Sequence, residues 1–244
     1  MNLIALGLGL NSIAMIIEMY NRGMPIDIIL FANTGAEKPH TIAYKNILES
    51  WLSVRRLPMI TSVKSSGKSL EQDCLDRNAL PSIAYGFKSC SQRWKLQPQN
   101  KYMNNLPEAK EAWAKGEKIN KYIGYDVGES HRVKDYDDEK YNVLYPLVDW
   151  GIDRDGCKDI IKAEGLCLPG KSACYFCPSS SVAEIKELKV QYPELAQRAI
   201  AMEKNANLTQ IKGLGRNFSW ENVLSTDDMF EDNYIEIDCG CYDG

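Results

Sequence analysis

Apolar and polar positions change period repeatedly along the first third of the chain. Residues 3–8 form a continuous apolar run, and residues 12–22 an amphipathic one. Residues 25–31 are again apolar and β-branched, residues 40–53 repeat at helical spacing, and residues 59–63 form a short third apolar run. Runs of four to seven apolar residues suit buried strands, and the longer periodic segments suit helices. The order β-α-β-α-β predicts a parallel sheet with right-handed crossovers and helices on both faces, a Rossmann-like α/β fold. In the second helix, Ile42, Tyr44, Ile47, Leu48 and Trp51 are the expected apolar face.

The pattern loosens between Lys64 and Gly116, with an irregular stretch at 80–86. Lys88, Arg93 and Lys95 then surround Cys90, with Trp94 among them for base stacking or packing. Residues 121–126 read as a strand. Residues 143–150 are apolar but interrupted by Pro146, and residues 154–164 are helical with Gly165 as the cap. Residues 184–205 are helical with a break at Pro193, residues 212–216 form a compact basic loop, and the tail is acidic. The division expected is an α/β unit over residues 1–165, with a helical, cysteine-containing appendage over 166–244.

The turn after the first strand, Gly7-Leu8-Gly9-Leu10-Asn11-Ser12, carries the first candidate chemistry. Glycines admit a ligand close to the backbone, and the following helix points its free N–H groups at the turn. Asn11 and Ser12 add side-chain donors or cap the helix. An anion, phosphate above all, suits this place. A plain strand-to-helix turn is the other reading, since neither a Walker lysine nor a third glycine follows. Asn33-Thr34-Gly35-Ala36-Glu37 lies at the end of the second strand, on the same edge of the sheet, where α/β proteins bind ligands.

Composition narrows the classes. The chain has 244 residues and a formal net charge of −4, so a strongly basic nucleic-acid binder is not indicated. It shows neither a membrane-length apolar run nor a signal peptide, which predicts a cytoplasmic protein. Eight cysteines in such a chain favour thiolate or metal chemistry over a disulfide scaffold. With two histidines, His40 and His131, a histidine-based metal site or a Ser-His-Asp triad is disfavoured.

Cys174-x-x-Cys177, closed by Pro178, places two sulfurs where they can face one metal. Cys239-x-Cys241 would complete a four-thiolate zinc site. Lys171, close to Cys174, would stabilise a thiolate or a phosphate. Glu37 would orient a Mg2+-bound water or serve the dipole of the helix behind it. Residues 213–216 form a second candidate anion loop.

These pieces, in their order, resemble the phosphoadenosine-phosphosulfate (PAPS) reductase family. They comprise the Gly7–Ser12 turn, Asn33 to Glu37, Ser89-Cys90-Ser91 with Lys95 and Pro98, and Ile123-Gly124 with Glu129 and Arg132. Tyr145 to Trp150 and Lys171 to Cys174 with Cys177-Pro178 complete the set. That family lies within the adenine-nucleotide α-hydrolase superfamily, next to the PP-loop ATP pyrophosphatases. The resemblance runs from the N-terminus to about Glu203, and the overall look is similar to small members found in phages and mobile elements.

It implies that Gly7, Gly9, Asn11 and Ser12 cradle phosphates, that Asn33, Thr34 and Gly35 lie by the adenosine, and that Gly124 and Glu129 belong to the same nucleotide site. It also implies that Arg132 meets phosphate or sulfate oxygens. The nucleotide would be ATP with Mg2+, or the adenylyl sulfates PAPS or APS. A PP-loop usually carries aspartate where this chain has Asn11.

Cluster-containing relatives hold a [4Fe–4S] cluster through a cysteine pair and a later Cys-x-x-Cys. Here Cys90, Cys174 and Cys177 would supply three ligands and leave one iron open. Cluster-free reductases use a C-terminal Glu-Cys-Gly cysteine as nucleophile, which Asp238-Cys239-Gly240 nearly matches. The resemblance therefore implies ATP-dependent activation of an acceptor followed by sulfur insertion. Reduction of an adenylyl sulfate to sulfite is the alternative. A zinc-stapled nucleotide-binding module without catalysis is a third reading. Partners implied are an adenine nucleotide, a sulfur donor or thioredoxin-like reductant, tRNA or DNA as acceptor, and a second copy in a homodimer, with no membrane.

Overall fold

The structure, a computed structural model, describes residues 1–65, 67–81, 83–84, 87–134 and 138–225. The elements run β1 (Asn2–Leu6), α1 (Leu10–Asn21), β2 (Ile28–Ala32), α2 (Pro39–Val54), β3 (Ile60–Val63) and α3 (Leu70–Asp76). A hairpin of β4 (Ile83–Ala84) and β5 (Phe87–Lys88) follows, then α4 (Ser89–Ser91), a π turn (Gln92–Leu96), α5 (Gln97–Asn105) and α6 (Pro107–Ala114). The second half holds β6 (Ile119–Ile123), a 3₁₀ turn (Val127–Arg132), β7 (Tyr141–Leu144), α7 (Pro146–Asp149) and α8 (Arg154–Ala163). Last come α9 (Val182–Gln191), α10 (Pro193–Asn205) and α11 (Trp220–Ser225).

Five strands form one parallel sheet in the order β3-β2-β1-β6-β7. The predicted α/β architecture is what the chain adopts. The chain leaves β1 towards β2 and β3, then crosses back to build β6 and β7 on the other side. The order therefore reverses between β1 and β6. At such a point the loops at the carboxyl ends of neighbouring strands diverge and leave a crevice.

Both faces of the sheet are covered, so the strands read as unbroken apolar runs. Ile4 and Leu6 of β1, with Ile29 and Phe31 of β2, meet α1, α2 and α8. Leu3, Leu30 and Val63 face the other way, onto Met103 of α5 and Ala109 of α6. A third core gathers Leu70 and Cys74 of α3, Trp94 of the π turn, and the apolar faces of α9, α10 and α11. Among the described residues, no helix is long and apolar enough to cross a membrane.

Several local expectations change. Ile42 and Ile47 of α2 are exposed, while Thr41, Tyr44, Leu48 and Trp51 are buried, so the buried stripe is rotated from the expected one. The stretch at 80–86 contributes a strand to a hairpin, and the loosened region beyond it is mostly helix, kept unrecognisable by the π turn. Trp94 is core, not a stacking platform. Of the three cations near Cys90, Lys88 lies 3.5 Å from Ser179 Oγ, Arg93 pairs with Asp73 at 3.3 Å, and Lys95 lines one cavity with the thiol.

The 212–216 loop is occupied by the chain's own anion. Glu203 of α10 is 5% exposed, and its carboxylate accepts from the backbone N–H groups of Leu214 (2.6 Å), Trp220 (2.9 Å) and Glu221 (3.3 Å). Gly213 has no side chain because a Cβ there would fall 2.2 Å from Glu203 Oε2. Backbone N–H groups converging on one carboxylate form an anion nest, here closed internally.

Cys157 lies wholly inside the main core on α8. Burial, reinforced by the Asp126 carboxylate, pushes its thiol up to about 12. The unfolded chain releases this proton at about pH 9, the folded chain only later, so the thiol's contribution to stability is whole below about pH 9 and is lost as pH rises towards 12. Urea titrations of the wild type and Cys157→Ala at neutral pH and at about pH 10 check this. The wild-type advantage is smaller at the higher pH; an advantage independent of pH contradicts the assignment.

Candidate functional site

The turn after β1 opens the crevice. Gly7 is buried, Leu8 holds a left-handed φ of 59° although fully buried, and Gly9 is the residue before the helix. A non-glycine residue in that region is strained, and such strain persists only where surrounding packing fixes it. The expected caps are not used: α1 begins after Gly9 with no side-chain cap and no acidic residue in its first turn. Its first N–H groups and the positive end of its dipole are left to whatever occupies the crevice.

β6 makes the opposite wall. A Cβ on Gly124 would lie 2.7 Å from Ser12 Cα and 2.8 Å from Ser12 N, so only glycine lets the end of β6 approach the first turn of α1. Asp126 follows and caps the 3₁₀ turn by accepting from Glu129 N at 3.1 Å. Asn11 Nδ2 reaches across to Asp126 Oδ2 at 3.0 Å and Glu129 Oε2 at 2.7 Å. With two carboxylates as neighbours the amide nitrogen must face them, since an oxygen there would be repelled. Asn11 Oδ1 is left buried with no hydrogen-bond partner, an acceptor at the cavity wall with no protein donor.

The cavity measures about 360 Å³. Gly9, Asn11, Ser12, Gly124 and Glu129, which the sequence analysis singled out, line it, and so does Lys171. Lys171 pairs with Glu184 at 2.7 Å on the rim. The loop carrying it is held from behind by His40, whose Nε2 lies 3.3 Å from Lys171 O. Arg154 and Lys158, one turn apart on α8, also face the cavity, as does Ser172. Arg154 and Lys158 went unrecognised in the sequence, and Ser172 entered only as part of the Lys171–Cys174 segment, with no role of its own. An Arg-x-x-x-Lys spacing is the only available signal, and it is equally the signature of a solvated helix face.

Arg132 is not part of this lining. Its guanidinium pairs with Glu129 and stacks 4.1 Å over Tyr125, whose hydroxyl accepts a hydrogen bond from it at 3.3 Å. The structure places Arg132 beside the cavity wall, where it orients Glu129.

A second, smaller cavity of about 40 Å³ adjoins the first. Cys90, Cys174 and Cys177 all line it, together with Thr34 and Lys95. Thr34 Oγ1 lies 3.3 Å from Cys174 Sγ and donates to Glu37 Oε1 at 2.8 Å. Glu37 and Cys174 form an isolated antiparallel bridge, and Tyr175 N donates to Ala36 O at 3.0 Å, so the Cys-x-x-Cys segment is stitched to the loop after β2. Burial, then the nearby Glu37 carboxylate, pushes the Cys174 thiol far up. Asn33 and Gly35 shape this loop: Asn33 Oδ1 accepts from Gly35 N at 2.8 Å, and Gly35 has a φ of 74°. Thr34 thus belongs to the thiol cavity, and Asn33, Gly35 and Glu37 stand outside the larger one.

Among the described residues, no three Cys, His, Asp or Glu side chains converge to hold one metal ion. Cys239 and Cys241, expected as zinc ligands or as nucleophile, lie outside the described residues. Cys74 and Cys157 are core residues, and Cys167 is exposed. No protein-family model matches the chain, and no curated protein matches it.

Proposed function

We propose that the chain is an adenine-nucleotide-dependent sulfur-transfer enzyme. The observation that carries this reading is the shared wall. Ser172 lines both the phosphate-type crevice and the three-cysteine cavity, and Cys174 follows two residues later. An activated group held over the α1 N-terminus would lie next to the thiols.

In this reading the nucleotide phosphates sit on the first turn of α1, with Arg154, Lys158 and Lys171 offsetting their charge. Asp126 and Glu129 are already engaged by Asn11 and Arg132, so Mg2+ would enter on the nucleotide's own phosphates. Asn11 Oδ1 would accept from a ligand hydroxyl or a bound water. Cys90, Cys174 and Cys177 would hold a cluster, which would supply an open iron for the sulfur being transferred.

The departure from the PP-loop aspartate, which motivates the catalytically silent module, is also compatible with this reading. An aspartate at position 11 would place a third carboxylate against Asp126 and Glu129, so asparagine is the residue this pocket requires. Reduction of an adenylyl sulfate stays as the second reading, favoured by the near-reductase tail at Cys239.

Titration calorimetry of the oxygen-free full chain with ATP and with PAPS, beside iron and sulfide analysis, tests the assignment. ATP binding together with iron and sulfide supports sulfur transfer. Binding of PAPS alone, with sulfite released on adding a thiol reductant, moves the assignment to reduction. Failure to bind either nucleotide overturns both.

A further inference from the structure

The face of β6 turned towards α5 carries Ile119, Lys121 and Ile123 in alternation. The two isoleucines are buried at 0% and 1% exposure, and Lys121 between them is 4% exposed. Its register partners are Leu3 on β1 and Val143 on β7. Strand periodicity asks for an aliphatic residue here, and burying an ammonium is costly. A lysine in that position departs from the local pattern in the way functional residues do.

Lys121 faces a cavity of about 220 Å³ between the sheet and the π turn, on the sheet face opposite α1. Ser91, Gln92 and Asn100 line it from the helical side, and Asp138 and Tyr141 from the strand side. Ser91 Oγ is buried and has no hydrogen-bond partner. The Tyr141 ring lies 5.5 Å from the Lys121 nitrogen. Asp138 Oδ1 accepts from the N–H groups of Lys140 and Tyr141 at 2.7 and 3.0 Å. Desolvation brings the Lys121 amine down to about 8, with Asp138 pulling the other way, while burial pushes the Tyr141 hydroxyl up to about 12. Asp138 and Tyr141 are the titratable groups facing the amine among the described residues; β1 presents Leu3, and the helix presents neutral side chains.

We propose that Lys121 is a carbonyl-reactive amine and that this cavity receives a small hydroxylated aldehyde or ketone as a covalent imine. The neutral nitrogen's lone pair forms the new bond to the carbonyl carbon. The C=O π pair moves to oxygen, which gains a proton as nitrogen loses one. The carbinolamine then expels water to leave C=N. One amine and one carbonyl give one imine and one water, with no oxidant or reductant. Ser91, Gln92 and Asn100 offer hydrogen bonds to the ligand's hydroxyls, and Tyr141, held protonated, lies on the same wall as Asp138. The site is separate from the nucleotide crevice and does not rest on the function proposed for it.

The test is reductive trapping on the full chain. Glycolaldehyde and cyanoborohydride are added, and labelled lysines are read by peptide mass spectrometry. At neutral pH Lys121 is labelled about tenfold faster than the exposed Lys101, Lys110 and Lys115, because more of its amine is unprotonated. Its rate levels off above about pH 8, where the surface lysines still climb. Lys121→Met keeps the length of the stem, removes the label and leaves the other lysines unchanged. Labelling of Lys121 no faster than Lys115 on the folded wild-type chain overturns the proposal; this reading needs no variant to fold.

Discussion

Gly124→Ala destabilises the chain by about 1–3 kcal/mol, the usual cost of overpacking a tight contact, and removes nucleotide binding. The added methyl meets backbone, not a movable side-chain tip: Ser12 Cα at 2.7 Å and Ser12 N at 2.8 Å. Relief requires the first turn of α1 to withdraw from β6, and that turn carries the N–H groups proposed to hold phosphate. Asn11, which spans to Asp126 and Glu129, would be pulled off its partners by the same movement. Thermal unfolding measures the first effect and ATP titration the second. A variant with unchanged midpoint and unchanged affinity would show that the crevice is not where binding occurs.

Glu203→Ala has the larger structural effect. Three backbone N–H groups lose a buried carboxylate acceptor at once. Hydrogen bonds to a charged group contribute about 1.5–3 kcal/mol each, and they are not additive when they share one acceptor. A loss of about 3–5 kcal/mol, the range for removing one partner from a buried charged group, is a large part of the roughly 5–15 kcal/mol that holds a domain folded. The expected result is release of the 212–225 segment from α10, seen as rapid amide exchange at Leu214 and Trp220. Glu203→Gln, which keeps one oxygen acceptor, should fall between. Exchange at Leu214 unchanged in Glu203→Ala would sink the account.

The parallel sheet was legible because its strands are buried on both faces. Residues such as Ile4, Leu6, Ile29 and Phe31 give short apolar runs that helices of the same composition would not. The crevice was legible in part: the turn at Gly7–Ser12 stands between a strand and a helix, where glycine lets a ligand approach the backbone, whereas Gly124 entered only through the family resemblance. Arg154 and Lys158 were not, since a cation's spacing on a helix does not say whether it faces solvent or a cavity. The helical region between β5 and β6 was hidden by the π turn, which breaks the 3.6-residue period. Glu203 was hidden because its partners are backbone groups, and main-chain N–H donors leave no mark in side-chain identity. Lys121 stood in plain view inside a strand, but a lone lysine reads as solvent-facing until the sheet's second face is known to be covered.

The third core also bears on how the chain is made. α3 and Trp94 emerge from the ribosome about a hundred residues before α9, α10 and α11, the helices that cover them. Until α9, α10 and α11 have been made, Leu70, Cys74 and Trp94 lack the helices that cover them on the far side. Contacts of such sequence separation slow folding and prolong the exposure of sticky surface. A chain released before α11 would carry a finished sheet with an open apolar flank, a form suited to chaperone capture or self-association.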